Sequence, residues 1–371
     1  MKSILKSKLN MNEDDIFVIH PYLKAKRIQK DYDLEEASKL TEAINLNPIY
    51  SRSIGLEKIN PKTYLNKGVV ELLKKEVVEK KSKLLFINCN LTPIQQRNLE
   101  NEIKCKIIDR TGLILEIFGA RAKSNEGKLQ VNLASLNYQK SRLVRSWTHL
   151  ERQRGGAGFM GGPGERQIES DRRQLTEQIN RIKKKINKIN NTRSLQRYRR
   201  KKNNLPIISL VGYTNSGKST LFNSLTNANS LSKNMLFASL DSTIRKINIL
   251  KKKFVFVDTV GFIRALPTGL IEAFKSTLDE IQSSSIILHV RDISNKENLE
   301  QKKEVLKILN ELGVEEDDSR IIDVINKIDL VKSKFDNENN FNNQVAVSAL
   351  HKFGVNELKG KIYEKIVNEI T

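Results

Sequence analysis

The sequence predicts an α/β protein in three parts: a small domain with a mostly parallel sheet, an antiparallel helical hairpin, and a larger doubly wound domain. Alternation predicts the two sheet domains, because apolar runs of strand length alternate with segments of helical period in residues 1–128 and again in 204–371. Heptad spacing predicts the hairpin, because residues 129–203 place apolar side chains every three or four positions. These ranges are the expected domains.

The chain is long enough for two or three domains and is strongly basic. It has 371 residues, with 65 Lys and Arg against 43 Asp and Glu, which gives a formal net charge of +22. Such a surface favours polyanions, with nucleic acid as the first candidate. Joint enrichment in Lys, Asn and Ile also fits an AT-rich genome, so part of the charge can be compositional. No apolar run of membrane-spanning length and no signal-like start is visible, so we expect a soluble, cytoplasmic monomer without membrane insertion.

The first region, residues 1–128, is predicted to contain four strands and four helices. The predicted strands are 15–22, 48–53, 83–89 and 104–108. The predicted helices are 33–46, 66–80, a segment opened by Thr92 and Pro93, and 112–120. No catalytic constellation falls here, so this region is expected to be a scaffold or docking domain.

The middle region predicts two amphipathic helices that pack as a hairpin. Their apolar seam positions are Leu129, Leu133, Leu136, Leu143, Trp147 and Leu150, then Leu175, Ile179, Ile182, Ile186 and Ile189. A glycine-rich loop at 154–164 joins the helices, and Pro163 restrains its exit. Arg154, Phe159 and Met160 are candidates for RNA contact at its tip, because a mere hinge needs neither Phe nor Met. A flexible hinge is the alternative.

The second helix of this hairpin concentrates the basic charge. The run from Arg181 to Lys202 holds eleven Lys and Arg and no Asp or Glu. We expect this run to contact a polyanion, and a solvated helix face is the alternative.

The third region, residues 204–371, is predicted to form the doubly wound domain. Its predicted strands are 206–211, 244–250, 254–258, 286–291, 321–326 and 344–348. Its predicted helices are 218–226, 270–281, 296–312 and 355–370.

Five short motifs in this domain occur in the order that builds a guanine-nucleotide site. The first is a phosphate-binding loop made of Gly212, Tyr213, Thr214, Asn215, Ser216, Gly217, Lys218 and Ser219, with Thr220 after it. Its backbone N–H groups are expected to wrap the phosphates, and its glycines to allow the turn. Lys218 is expected to reach the β- and γ-oxygens and Ser219 to hold Mg²⁺. The loop pattern alone is weak, but the ordered set makes coincidence a poor explanation.

The choice of base depends on two later motifs. Asn326, Lys327 and Asp329 follow one predicted strand, and Ser348 and Ala349 follow the next. The Asp329 carboxylate can accept from two N–H groups of guanine, whereas adenine would leave a buried charge unpaired. The Lys327 stem is expected to cover the base, and Asn326 to brace the loops. A backbone N–H at Ser348 or Ala349 would donate to the guanine oxygen, so GTP and GDP are the expected ligands.

Two more motifs predict a switch that responds to the γ-phosphate. Asp258 ends a predicted strand and suits a water-mediated Mg²⁺ contact, and the Gly261 amide can bond the γ-phosphate. Thr243 is expected to complete the metal shell, so hydrolysis would release both loops. Phe262 follows where many switch GTPases place a water-orienting Gln, so slow intrinsic turnover is expected.

Because Phe262 cannot orient the attacking water, that water must be positioned by backbone groups, by a monovalent cation or by a partner macromolecule. Asn215 matches the position at which potassium-dependent GTPases coordinate K⁺, which makes K⁺ a candidate cofactor beside Mg²⁺. The candidate catalytic residues are therefore Lys218, Thr243, Gly261 and Asn215.

With these residues, the chain resembles the HflX family of translational GTPases over about residues 110–348. The matching segments are 110–118, 126–131, 155–165, 171–173, 212–219 and 258–263. The resemblance implies an N-terminal α/β domain, a helical linker and a C-terminal Ras-like P-loop GTPase domain. It also implies binding to the large ribosomal subunit, with the loop from Gly155 to Gly164 near the peptidyl-transferase region. The implied activity is GTP-dependent splitting of stalled or idle 70S ribosomes, often under stress, with the basic run docked on rRNA.

Three departures accompany the resemblance. Arg166 stands where Thr is expected at the loop exit, and Arg291 occupies a usually apolar position at a strand end. The chain ends soon after the last predicted helix, so the extra C-terminal subdomain of longer members is expected to be absent. Two alternative functions stay open: a GTPase of large-subunit assembly, and a basic RNA-binding module whose nucleotide site is structural.

Overall fold

The computed structural model describes residues 15–25, 30–151, 163–202, 205–228, 235–237, 240, 242–250, 252–267, 270, 275–331 and 343–368. The chain divides into two compact units. The first joins Met1–Ala120 to Lys128–Lys185, and the second joins Arg121–Gly127 to Ile186–Thr371. No helix among those described has both the length and the apolar composition that a bilayer crossing requires.

The first unit contains a four-stranded sheet in which all neighbouring strands are parallel. In chain order the strands are β1 (Asp15–Leu23), β2 (Asn47–Leu56), β3 (Leu84–Ile87) and β4 (Lys106–Asp109), and the spatial order is β2-β1-β3-β4. Residues 16–19 of β1 are fully buried, as expected for a parallel strand that is covered on both faces. The predicted N-terminal parallel-sheet domain is confirmed.

Four helices alternate with these strands: α1 (Lys30–Glu42), α2 (Lys67–Glu79), α3 (Pro93–Ile103) and α4 (Arg110–Arg121). Local chemistry sets the start of α3. The Thr92 side chain accepts a hydrogen bond from the Gln95 amide, and the Gln95 side chain accepts one from the Thr92 amide. This capping box satisfies two backbone donors, and Pro93 fits the first turn because no hydrogen bond is lost there.

The helical region consists of α5 (Asn125–Glu151) and α6 (Pro163–Lys202). Several seam positions predicted from the heptad spacing are buried, namely Leu133, Leu136, Ile179, Ile182 and Ile186. The predicted glycine-rich loop lies outside the described residues except for Pro163 and Gly164, which begin α6. The side chains of Trp147 and Leu150 also lie outside the described part.

The second unit contains a six-stranded sheet. Its strands are β5 (Ile207–Val211), β6 (Thr243–Ile249), β7 (Lys252–Asp258), β8 (Ile286–Asp292), β9 (Ile321–Asn326) and β10 (Gln344–Ala346), in the spatial order β10-β9-β8-β5-β7-β6. The sheet is parallel except for β6, which runs antiparallel to β7. Its helices are α7 (Lys218–Thr226), α8 (Lys275–Gln282), α9 (Asn298–Glu311) and α10 (Val355–Asn368).

This arrangement confirms the predicted doubly wound domain and fixes the place of its site. Leu221 and Phe222 of α7 and Leu358 and Ile362 of α10 belong to the core that includes β5, β8 and β9 residues. The carboxyl ends of parallel strands meet at one edge of such a sheet, and ligands bind there. The predicted motifs that follow β5, β7 and β9 are therefore brought to the same edge.

Candidate guanine-nucleotide site

The phosphate-binding loop predicted at residues 212–219 connects β5 to α7. Gly212 has a φ of 153° and Gly217 a φ of 92°. A Cβ at Gly212 would stand 2.2 Å from the Val290 carbonyl oxygen, and one at Gly217 would stand 2.2 Å from Asn326 Nδ2. Both positions therefore require glycine, and the backbone turns back against its neighbours as a phosphate-wrapping loop must.

Lys218 is 6% exposed, and the loop itself holds its ammonium group. Lys218 Nζ donates to the carbonyl oxygens of Gly212 at 3.1 Å and Tyr213 at 2.8 Å. Burial lowers the pKa of Lys218 to about 8, and the Asp258 carboxylate offsets only part of this effect. A phosphate in the loop would favour the charged form again, because an opposite charge raises the pKa of an ammonium group. Thr220 follows in α7 and is half-buried.

The three residues predicted to hold Mg²⁺ lie together. Ser219 Oγ donates to Asp258 Oδ2 at 2.6 Å. Thr243 is paired with Asp258 in the β6–β7 register, so their side chains share one face of the sheet. Within the described residues, Asp258 Oδ1 and Ser216 Oγ are buried without a hydrogen-bond partner.

This donor set fits a hard divalent cation. Burial raises the pKa of Asp258 to about 6, although the Ser219 hydroxyl and the Lys218 charge oppose the rise. A bound cation would favour the ionised carboxylate. Mg²⁺ needs only one or two protein oxygens when phosphates and water supply the rest. Accordingly, the fit does not require a cluster of three His, Cys, Asp or Glu side chains, and the described residues contain none.

The segment after Asp258 is hydrogen-bonded along the phosphate loop. The Phe262 amide donates to the Gly212 carbonyl at 3.0 Å, and the Thr214 amide donates to the Phe262 carbonyl at 2.7 Å. The Arg264 amide donates to the Tyr213 hydroxyl at 2.9 Å. These bonds continue the β5–β7 pairing beyond the sheet and hold the segment against the loop.

Gly261 lies within this segment and beside the lysine. A Cβ at Gly261 would stand 2.8 Å from Thr214 Cα and 3.0 Å from Lys218 Nζ. A side chain there would occupy the space next to the ammonium group. The ring of Phe262 is 2% exposed, so it is packed inside the protein and has no polar atom for a water molecule.

Asn326, at the end of β9, is hydrogen-bonded to two other site segments. Asn326 Nδ2 donates to the Ser216 carbonyl at 3.0 Å. Asn326 Oδ1 accepts from the Ala349 amide at 3.0 Å. The Ala349 amide assigned to guanine is thus engaged with Asn326 here, and a contact with the base would have to share or exchange that bond.

Lys327 follows in the left-handed region, with a φ of 64°. Lys327 Nζ donates to the Asn215 carbonyl at 3.0 Å and to Asp292 Oδ2 at 2.6 Å. Asp292 Oδ1 accepts from the amide and hydroxyl of Ser294 at 3.0 and 2.6 Å, which fixes the carboxylate. These bonds fix the Lys327 ammonium group beside the phosphate loop.

Asp292 is a site residue that was not predicted from the sequence. One available signal was its position at the end of β8, the strand between β5 and β9. The carboxyl end of that strand must lie at the same edge as the phosphate loop.

Asp329 lies in a short 3₁₀ turn, Ile328–Leu330, after β9. Asp329 Oδ1 accepts from the Ser348 hydroxyl at 2.5 Å, and Oδ2 lies 3.9 Å from His351 Nε2. The motif that contains Asp329 and the motif that contains Ser348 are thus in contact. The carboxylate is partly exposed, so its edge can receive the donors of a base.

Comparison with known proteins assigns these features to a family. Family models match three consecutive segments: a GTP-binding GTPase N-terminal region at 31–119, a GTP-binding GTPase middle region at 121–200, and a 50S ribosome-binding GTPase at 207–327. The GTPase HflX of Magnetococcus marinus is 49% identical over 302 residues, which cover 81% of this chain and 69% of the relative. The chain belongs to the HflX family of GTPases. The sequence resemblance is thereby confirmed.

Other HflX-family and GTP-binding proteins are also similar. The GTPase HflX of Escherichia coli is 39% identical over 343 residues, which cover 91% of this chain and 80% of the relative. A crystal structure of a GTP-binding protein from Sulfolobus solfataricus in complex with GDP is 26% identical. Its TM-score is 0.48, and the match covers 95% of this chain and 99% of that one. HflX membership supports a GTP-hydrolysing enzyme and GTP or GDP as its nucleotide.

The contacts of Arg291, which was expected from the sequence to be a departure, show how the structure accommodates it. Arg291 is 8% exposed, and its Nε donates to Asp323 Oδ1 at 2.6 Å. Arg291 Nη1 donates to Asn298 Oδ1 at 3.2 Å, and Lys302 Nζ donates to Asp323 Oδ2 at 3.1 Å. Burial alone would raise the pKa of Asp323, but the hydrogen bond from Arg291 and nearby positive charges lower it below the usual value. The arginine is therefore paired, whereas the side chain of Arg166 lies outside the described part.

Proposed function

We propose that this HflX-family GTPase binds the large ribosomal subunit and uses GTP to dissociate or rescue stalled or idle 70S ribosomes. One observation carries the proposal: α6 presents a basic face in a chain whose nucleotide domain matches a 50S ribosome-binding GTPase. Exposed lysines on this helix are Lys183, Lys184, Lys185 and Lys188. No Asp or Glu occurs between Gln178 and Leu240, so the face suits the phosphates of rRNA.

In the proposed GTP complex, Lys218 binds the β- and γ-oxygens, and the loop amides wrap the phosphates. Ser219, Thr243 and Asp258 would hold Mg²⁺. The ion would supply positive charge against the negative charge that develops on the phosphates. The Gly261 amide bonds the γ-phosphate, so loss of that phosphate after hydrolysis releases the segment and reports the nucleotide state.

Hydrolysis by the isolated protein is proposed to be slow and stimulated by ribosomes. The buried ring of Phe262 cannot orient a water molecule, which leaves this task to backbone, to a cation or to the ribosome. Asn215 has a φ of 61°, in the loop position expected for a K⁺ ligand. GTPase rates should therefore be higher in K⁺ than in Na⁺ buffer, and equal rates would exclude this role of Asn215.

The helical region is proposed to carry the action on the ribosome. The loop from Gly155 to Gly164 would reach toward the peptidyl-transferase region, and the basic run from Arg181 to Lys202 would hold rRNA phosphates. Before hydrolysis, the γ-phosphate would order the segments at Thr243 and Gly261, and this order would favour the ribosome-bound state. A hairpin held in this way can act as a wedge between parts of the subunits.

Sedimentation tests the proposal directly. Adding the protein with GTP to purified 70S ribosomes should convert them into subunits, and Lys218→Ala should not do so. Hydrolysis of GTP should also rise strongly when large subunits are added. Intact 70S particles, together with binding restricted to precursors of the large subunit, would support the alternative role in assembly. A Lys218→Ala protein that retains every function would instead indicate a structural nucleotide site.

A further inference from the structure

Asp109 collects four hydrogen bonds at the end of β4, in the first compact unit. The residue is 2% exposed. Asp109 Oδ1 accepts from the Gly112 amide at 2.8 Å and the Tyr138 hydroxyl at 2.6 Å. Asp109 Oδ2 accepts from the Leu91 amide at 3.3 Å and Arg142 Nη2 at 2.7 Å. Two of the donors belong to α5, so this carboxylate links the sheet to the first helix of the hairpin.

Arg142 extends the link to further elements of the sheet domain. Its guanidinium also donates to the Gln96 side chain of α3 and to the Leu91 carbonyl at 3.5 Å. The guanidinium carbon lies 4.3 Å from the centre of the Tyr138 ring, a cation–π arrangement. The planar fork of an arginine can hold several acceptors at once, which a lysine ammonium cannot do in the same geometry. Arg142 therefore fastens α5 to β4, to α3 and to the turn before α3.

Gly112 makes room for this contact. A Cβ there would stand 3.1 Å from both Asp109 Oδ1 and the Tyr138 hydroxyl oxygen. Gly112 belongs to the segment 110–118, one of those that carry the family resemblance, and the nucleotide site does not use it. Burial and the neighbouring Asp109 raise the pKa of Tyr138 above its usual value, so the phenol stays a hydrogen-bond donor.

We propose that Asp109, Tyr138 and Arg142 form a joint that makes the N-terminal sheet and the first hairpin helix one rigid arm. The arm would transmit force between the ribosome-bound hairpin and the N-terminal domain while the subunits separate. Its mechanical role rests on the proposed function, whereas the joint itself belongs to the free protein. A charge-assisted network around the buried Asp109 carboxylate suits this role, because its directional bonds fix one geometry while apolar contacts can slide. The three side chains are positioning residues of the first unit, and the nucleotide motifs belong to the second.

Hydrogen exchange in the free protein tests the joint without ribosomes. In the native protein, amides of α5 near residues 136–143 should open together with those of β4. In Arg142→Gln and Tyr138→Phe, the α5 amides should exchange about tenfold faster while those of β1 and β3 stay unchanged. Exchange that rises equally throughout the sheet and α5, or that does not change, would overturn the joint.

Ribosome splitting tests how the joint is used. At saturating GTP, Arg142→Gln should lower the maximal splitting rate about tenfold, and Tyr138→Phe should lower it less. The protein concentration at half-maximal splitting and the ribosome-stimulated GTPase rate should stay within about twofold of the native values. A purely structural role would lower rate, affinity and melting temperature together, which would overturn the positioning role.

Two variants serve as controls. Lys39→Gln removes an exposed ion pair with Glu35 of similar length, 2.6 Å, in the sheet domain and should change nothing. Arg110→Gln breaks a buried ion pair with Glu36, 2.7 Å long, within the sheet domain. If the two variants Arg110→Gln and Arg142→Gln lower the melting temperature equally and also slow splitting equally, general destabilisation explains the effect, which would overturn the positioning role. If the native protein does not split ribosomes, the proposed function fails, and hydrogen exchange still decides the joint.

Discussion

Asn326 Nδ2 donates to the Ser216 carbonyl oxygen at 3.0 Å, so one buried amide joins the guanine motif to the phosphate loop. The same side chain accepts from the Ala349 amide at 3.0 Å. Three segments that are far apart in the sequence therefore share one anchor. A change in any of them should alter both nucleotide affinity and stability.

Asp329→Asn should shift the nucleotide preference from GTP toward xanthosine triphosphate. The new amide presents a donor where guanine also presents one, so GTP affinity should fall about 100-fold or more. Competition titrations with both nucleotides measure the shift, and Ser348→Ala controls for loss of the bond to the Asp329 side chain. Unchanged GTP affinity would show that Asp329 does not recognise the base.

Gly217→Ala should abolish tight nucleotide binding and lower the free energy of unfolding. The added Cβ would stand 2.2 Å from Asn326 Nδ2, and the φ of 92° is strained for any L side chain. Gly360→Ala is the matched control, because nothing lies within 4 Å of its Cβ position in α10. That control should stabilise the helix by about 0.5–1 kcal/mol. Nucleotide titration and thermal melting of both variants provide the measurement, and normal binding by Gly217→Ala would contradict the loop geometry.

Asp292→Asn should weaken GTP binding about tenfold, because it removes the charge that holds Lys327 Nζ at 2.6 Å. The variant keeps the size of the side chain, so the loss can be assigned to charge. Asp317→Asn, on an exposed turn, should have no effect. If both variants bind equally well, the ion pair does not position the lysine.

The contribution of His289 to the stability of the second unit should fall as the pH drops from about 6.5 toward 4, whereas Asp258, whose pKa burial raises to about 6, acts in the opposite sense below pH 6. Burial lowers the pKa of His289 to about 4, with Asp323 opposing the shift and Arg291 reinforcing it. Between those values the unfolded chain binds a proton that the folded chain does not, so protonation favours unfolding. The total effect is about 3 kcal/mol for one such histidine. Urea unfolding of the native protein and of His289→Gln at several pH values isolates this contribution. The free energy of unfolding of the native protein minus that of the variant should fall by about that amount between pH 6.5 and 4. A difference that does not vary with pH would contradict the assignment.

Replacing Lys183, Lys184 and Lys185 by Glu should weaken ribosome binding and flatten its dependence on salt. Each lost phosphate contact should reduce the slope of log affinity against log salt by about one. The matched control reverses Lys67, Lys74 and Lys75, three exposed lysines of α2. Equal effects from the two triple variants would indicate general charge attraction, and unchanged binding would make the α6 run a solvated face.

Elements with strong local signals could be predicted almost to the residue. The predicted helix 218–226 coincides with α7 and the predicted strand 321–326 with β9. In both elements, the sequence motif and the periodic apolar residues lie within a few positions of each other. Local spacing is therefore enough to predict the element. The start of a helix at Thr92 and Pro93 could be predicted for the same reason.

Contacts between distant elements could not be predicted from spacing. The Asp292–Lys327 ion pair joins residues 35 positions apart, and the Arg142–Asp109 bond joins residues 33 apart. A single sequence shows which residues are charged but not which of them become neighbours. The antiparallel direction of β6 also depends on how the chain returns to the sheet, which the apolar pattern of a strand does not encode.

The division of the chain into two compact units has a consequence for its synthesis. Each unit is built from two stretches that alternate along the sequence, so the polypeptide passes between the units three times. An ion pair 2.8 Å long, between Glu126 and Arg193, joins the two stretches of the second unit. During translation the N-terminal sheet therefore cannot gather all the residues of its unit until residue 185 has emerged. Folding of this protein should be delayed relative to one whose first domain is a continuous stretch. A fragment that starts at residue 204 would lack residues 121–127 and 186–203, which belong to the second unit.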